Sequence, residues 1–174
     1  MSTERENFVG LSSALLGIGK ALLAPSIDPI DLPSQFLAYI RPKMTEAQLN
    51  DLLSQYAGLV ADQQSPEQIA RALLMSNGQP AATPAAKACR SIMKMWLLGV
   101  WYQPYDASSF KAGQQWVVSD LAYQQSWAWK AAQAHPMGYS QFHFGYWNET
   151  PPSLEAFTGV PAKGQTPEAL EVAL

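Results

Sequence analysis

Few side chains in this sequence suit proton transfer, nucleophilic attack or metal binding near neutral pH: His135, His143 and Cys89 stand out. His135 precedes Pro136 at the end of a helical stretch, where the dipole favours a cation, so its position predicts a capping role. His143 lies in the segment 138–147, GYSQFHFGYW, and three roles are open to it: donor at an interface, general base, or ordinary loop residue. Cys89 falls on the apolar face of a helix and reads as a small core residue. A single cysteine also excludes an internal disulfide and any multi-cysteine metal site. Glu46, Asp51, Asp62 and Glu67 sit near helix starts or on polar faces, where solvated or capping charge is the default. There is no His-x-x-Glu-His metal pair, Gly-rich phosphate loop or Gly-x-Ser-x-Gly elbow. The spacing singles out no pair of carboxylates. The sequence therefore reads as non-enzymatic, with no catalytic, cofactor-binding or metal-ligating residue to name.

The element that must organise the rest is Thr83 to Tyr102, TPAAKACRSIMKMWLLGVWY. Thr83 suits an N-cap and Pro84 the first helical turn. Cys89, Ile92, Met93, Trp96, Leu97 and Val100 recur at the spacing of one helical face. Met95, Leu98 and Trp101 fill the opposite side, so a soluble chain must cover this helix with other elements or a partner. At 174 residues the chain fits one domain. Its charged content of 14% is low against the usual ~25%. A net charge of −3 gives no basic face for nucleic acid.

Ser2 or Thr3 can cap a first helix, with Glu6 completing a capping box if Thr3 is the cap. Phe8, Leu11, Leu15, Ile18 and Leu22 then form one apolar stripe, stopped by Pro25 and Asp28-Pro29. This stretch imitates a signal peptide, but Glu4 and Glu6 against one Arg give the wrong leader charge. No apolar run approaches the ~20 residues of a spanning helix. A short helix is expected at Ser34–Ile40. Thr45 with Gln48 opens a longer one carrying Leu49, Leu52, Leu53, Tyr56, Leu59 and Val60. Ser65 with Gln68 opens a third, with Asn77-Gly78 as its stop. After Tyr102, Gln103–Gln115 reads as an exposed excursion and Trp116-Val117-Val118 as a short extended segment. Ser119-Asp120 starts a last helix to about Ala134. From Pro136 onward the chain looks irregular. The expected fold is an all-α, single-domain helical bundle of about five or six helices. Residues 1–150 make the helical domain and 151–174 an irregular Pro-rich tail.

Fourteen of the nineteen aromatic residues fall between Trp96 and Trp147, so large rings are concentrated in under a third of the chain. Aromatics bury much area at low entropy cost and are favoured at interfaces. The expected contact residues are Trp101, Tyr102, Phe142, His143, Phe144, Tyr146 and Trp147. Trp96 is assigned to the core. The same aromatic segment would also suit a carbohydrate-binding or free-standing interaction domain stacking its rings on sugars.

Three segments carry a family resemblance. Phe8-Val9-Gly10-Leu11-Ser12 with Leu15 and Gly17 is similar to the opening helix of the small (gamma) subunit of membrane-bound, FAD-dependent sugar and polyol dehydrogenases. Ile92 to Val100, IMKMWLLGV, resembles that family's Trp/Tyr-Leu-Gly helix end. Val117-Val118-Ser119, the helix after it and the closing Gly145-Tyr146-Trp147 resemble the third piece. The resemblance implies a non-catalytic chain that binds a large flavoprotein and supports its folding, flavin loading or export. FAD then sits in the partner and no cofactor in this chain. A multihaem cytochrome c takes the electrons in that family. Such a subunit works in the periplasm and usually carries a twin-arginine leader. None is present in this sequence, which leaves a removed leader or a cytoplasmic complex. Many members also place a cysteine just upstream of the Gly-aromatic-Trp motif. Tyr139-Ser140-Gln141-Phe142 stands here instead, which implies a non-covalent association.

Overall fold

The computed structural model describes residues 3–103, 115–136, 139 and 148–161, which form a mainly helical, all-α fold with two small antiparallel ladders. Thr3 caps α1 (Glu4–Leu16): its hydroxyl accepts the Glu6 amide while the Glu6 carboxylate accepts the Thr3 amide at 2.6 Å. The apolar stripe predicts one helix to Leu22, but α1 ends at Gly17 (φ 66°), whose N–H bonds back to the Ser13 carbonyl. A left-handed φ costs glycine nothing, so the chain turns there and restarts as α2 (Lys20–Leu23). Asp31, itself left-handed at φ 47°, caps α3 (Leu32–Ile40). Arg5 of α1 donates to the same carboxylate at 2.7 and 3.0 Å, joining the two helix starts. A second link runs from Arg41 to Glu4.

Both further capping boxes form as their spacing predicts, Thr45–Gln48 at α4 (Glu46–Ala61) and Ser65–Gln68 at α5 (Pro66–Leu74). Leu49, Leu52, Leu53 and Tyr56 are buried on α4, but Val60 is 47% exposed and lies off that face. Asn77-Gly78 does not cap α5. Both residues are left-handed (φ 50° and 76°) and turn β1 (Met75–Ser76) onto β2 (Gln79–Pro80), the chemistry of a two-residue hairpin.

Thr83 caps α6 (Pro84–Leu98). The spacing predicts helix through Tyr102, yet Gly99 takes φ 68° and the chain continues as β3 (Val100–Tyr102). β3 pairs antiparallel with β4 (Gln115–Val117), placing Val100 opposite Val117 and Trp101 opposite Trp116. Gly99 is also crowded: a Cβ there would lie 2.6 Å from Cα of Tyr123. The expected last helix is instead two, α7 (Asp120–Gln124) capped by Ser119, and α8 (Trp127–Ala131). Buried Ser126 stands extended between them (φ −63°, ψ 143°).

The core lies where α1 and α6 meet, with α3, α4 and α5 around α1 and α8 against α6. Trp96 fills it. Its Nε1 donates to the buried Ser12 hydroxyl at 2.9 Å, and the Phe36 ring meets it edge-on at 4.8 Å. Burying a side chain of this size stabilises the fold by about 2–3 kcal/mol. The tail, expected to be irregular from residue 151, contains a helix, α9 (Leu154–Thr158), docked on α2 and α8.

Candidate partner interface

The alternation of β3 separates two of the expected contact residues. Trp101 points inward and has no exposed surface; its Nε1 donates to Oε1 of Gln103 at 3.1 Å. Tyr102 faces the other way and is half-buried, with Nζ of Lys94 4.2 Å above its ring. Its carbonyl accepts the Ser91 hydroxyl at 2.6 Å, so the ribbon is tied to α6 at this point. Trp101 therefore acts as a core residue in this chain, because successive side chains of a strand take opposite faces. Phe142, His143, Phe144, Tyr146 and Trp147 lie outside the described residues.

Across the ladder from Trp101 stands Trp116, on the same face but at the rim of the ribbon, and it keeps 40% of its surface exposed. Nζ of Lys43 sits between two rings, 4.9 Å from Trp116 and 4.7 Å from Tyr39. The Lys43 carbonyl also accepts from Nε2 of Gln103 at 3.4 Å. Val117, the next residue on β4, is 53% exposed. Leu98 at the end of α6 and Tyr123 on α7 are also exposed. Tyr123 meets Trp129 edge-on at 5.6 Å, and its carbonyl accepts Nε1 of Trp129 at 3.1 Å. The described surface thus offers apolar ring area held in place by two ammonium groups. Such rings lose little freedom when buried against another surface. Trp116 was legible as part of an extended segment, but its pairing with Trp101 had no local signal.

The chemistry-bearing residues are placed otherwise. Cys89 is fully buried on α6, and burial pushes its thiol up to about 12. It is not a nucleophile at neutral pH. His135 is exposed; its Nδ1 lies 2.9 Å from the Pro136 carbonyl, the next residue, rather than on the last carbonyls of α8. The basic residue in the last turn of α8 is Lys130, which lies 4.6 Å from the Trp127 ring. Burial lowers the pKa of this lysine. Asp31 is held below the ordinary 3.8 chiefly by its hydrogen bond with Ser34, which together with Arg5 outweighs the opposing cost of desolvation. Among the described residues no three His, Cys, Asp or Glu side chains converge as a metal site. No helix among them is long and apolar enough to cross a membrane.

No protein-family model matches the chain, and no curated protein or solved structure is significantly similar to it.

Proposed function

We propose that the chain is a non-catalytic accessory subunit and chaperone of a large FAD-dependent sugar or alcohol dehydrogenase. It would bind that flavoprotein and support its folding, flavin loading or export, acting in the periplasm with it, with a multihaem cytochrome c as a further subunit. The observation that supports this reading most is spatial. Among the described residues, parts of the three segments that resemble that small-subunit family are far apart in the chain yet touch in the fold. Ser12 of the first accepts the hydrogen bond of Trp96 in the second. Gly99 at the end of the second accepts the Val118 amide of the third at 2.9 Å and packs on Tyr123.

The contact surface we propose is the outer face and rim of the β3–β4 ribbon, Tyr102, Trp116 and Val117, with Leu98 and Tyr123 beside it. Expressing a large FAD-dependent dehydrogenase subunit with and without this chain tests the reading, with gel filtration followed at a flavin wavelength. The expected result is co-elution, and flavin-loaded soluble partner only when this chain is present. A flavoprotein that folds, binds FAD and turns over fully without this chain refutes the proposal. A saturable change in Trp fluorescence on titration with sugars would favour the carbohydrate-binding reading instead.

A further inference from the structure

Between α1, α2 and α4 the surface opens into a cavity of about 440 Å³, a size that holds small ligands. Val9, Ala21, Ala24 and Val60 give it apolar walls, which accounts for the exposure of Val60 off the core face of α4. Tyr56 is its unusual member. The residue is only 5% exposed, and its hydroxyl lies against α1 at Gly10, where a Cβ would overlap it. Buried tyrosine hydroxyls usually find a partner, yet this one makes no hydrogen bond with a described residue. No enclosed side-chain oxygen among those residues lacks a partner, so the Tyr56 hydroxyl must reach open space, and the space Tyr56 lines is this cavity. Burial raises its pKa above the ordinary 10.0, so it is a neutral donor at pH 7.

The charged groups at the cavity are Arg5, Glu6 and Lys20. Arg5 is engaged by Asp31 and lies 3.9 Å from Asp28, and the Glu6 carboxylate accepts the Thr3 amide. Lys20 is exposed, and its ammonium pairs with no described carboxylate. The groups left to meet a ligand are therefore donors, the Tyr56 hydroxyl and the Lys20 ammonium, and their complement is a charged acceptor. Glu6 and the two acids on Arg5 stand close enough to disfavour a doubly charged phosphate, which leaves a single carboxylate. We propose that this cavity binds a small organic monocarboxylate with a short aliphatic body. Its carboxylate takes hydrogen bonds from Tyr56 and Lys20, and its hydrocarbon lies along Val9, Ala21, Ala24 and Val60. The site shares no residue with the β3–β4 ribbon and does not depend on the flavoprotein reading.

Titrating the isotope-labelled full chain with sodium hexanoate at constant ionic strength, followed by amide chemical shifts, tests the site. Saturable shifts are expected at Gly10, Lys20, Tyr56 and Val60, half-complete at about 1 mM or below. Hexanol, which lacks the charge, should bind about tenfold more weakly. Tyr56→Phe should weaken hexanoate binding about tenfold, the loss of one hydrogen bond to a charged group. Lys20→Gln should weaken it about fivefold, since that ammonium is exposed. Tyr56→Phe removes a hydroxyl with no internal partner, so its melting temperature should not fall. The absence of saturable shifts at these amides would mean that the cavity takes water alone, and would overturn the proposal. Hexanol or inorganic phosphate bound as tightly as hexanoate would overturn the carboxylate class. Unchanged hexanoate affinity in Tyr56→Phe, or a clear drop in its melting temperature, would show that the hydroxyl serves no ligand and would equally overturn the site.

Discussion

Single residues in this chain serve structure first. Cys89 is enclosed, and its thiol is shifted so far up that almost no thiolate exists at pH 7. A disulfide-exchange reagent should leave it unlabelled in the native protein and modify it stoichiometrically after unfolding; rapid native labelling would contradict its burial. Asp31 gives a pH signature. The fold favours its ionised form, so its pKa lies below the ordinary 3.8; the stabilisation is fully present above 3.8 and is lost as pH falls from there through the lowered folded value. Asp31→Asn keeps an N-cap and tolerates the left-handed backbone, so the loss is chiefly the exposed pair with Arg5. It should lower stability at pH 7 by about 0.5 kcal/mol. Thermal melts of the two proteins should draw together as pH falls below 3.8. A gap that persists at low pH would assign the effect to something other than charge. The capping role of Asp31 had no clean pattern before Pro33: its amide is held by the Asp28 carboxylate at 2.8 Å in a turn, and its carboxylate takes Arg5 from another helix.

At the scale of elements, the starts of helices were far more legible than their ends. Thr3, Thr45, Ser65, Thr83 and Ser119 cap their helices as their spacing predicts, because a cap is made within three residues of itself. The ends at Gly17 and Gly99 interrupt apolar stripes that would carry on as helix. Gly99→Ala separates the two reasons for glycine there. Its left-handed φ costs an alanine about 1–2 kcal/mol, and the overlap with the Tyr123 backbone adds about 1–3 kcal/mol. Gly17 has nearly the same φ but nothing within 4 Å of its Cβ position. Denaturant unfolding should therefore find Gly17→Ala destabilised by about 1 kcal/mol and Gly99→Ala by about 3 kcal/mol. Equal losses would mean the contact with α7 is unimportant.

For the whole molecule, the division between Trp101 and Trp116 decides how an interface must be probed. Trp101→Ala should destabilise the chain itself by about 3–5 kcal/mol, the usual cost of emptying a core site of that size. Trp116→Ala and Tyr102→Ala should leave circular dichroism and melting nearly unchanged. If the proposed flavoprotein contact is right, each should weaken the complex by about 2 kcal/mol, roughly thirtyfold, in a binding titration. Full affinity in both variants would move the contact away from this ribbon.

The sequence by itself determined the helical class, most helix starts, the burial of Cys89 and Trp96, and the absence of a recognisable catalytic motif. Each rests on residue type or on partners a few positions away. Only the tertiary structure decided that α6 gives way to a strand at Gly99, that Trp101 turns inward while Trp116 stays at the rim, and that α9 folds back on Gly19 and Trp127. Those outcomes depend on backbone and ring contacts between segments distant in the chain, and no periodicity within one segment records them.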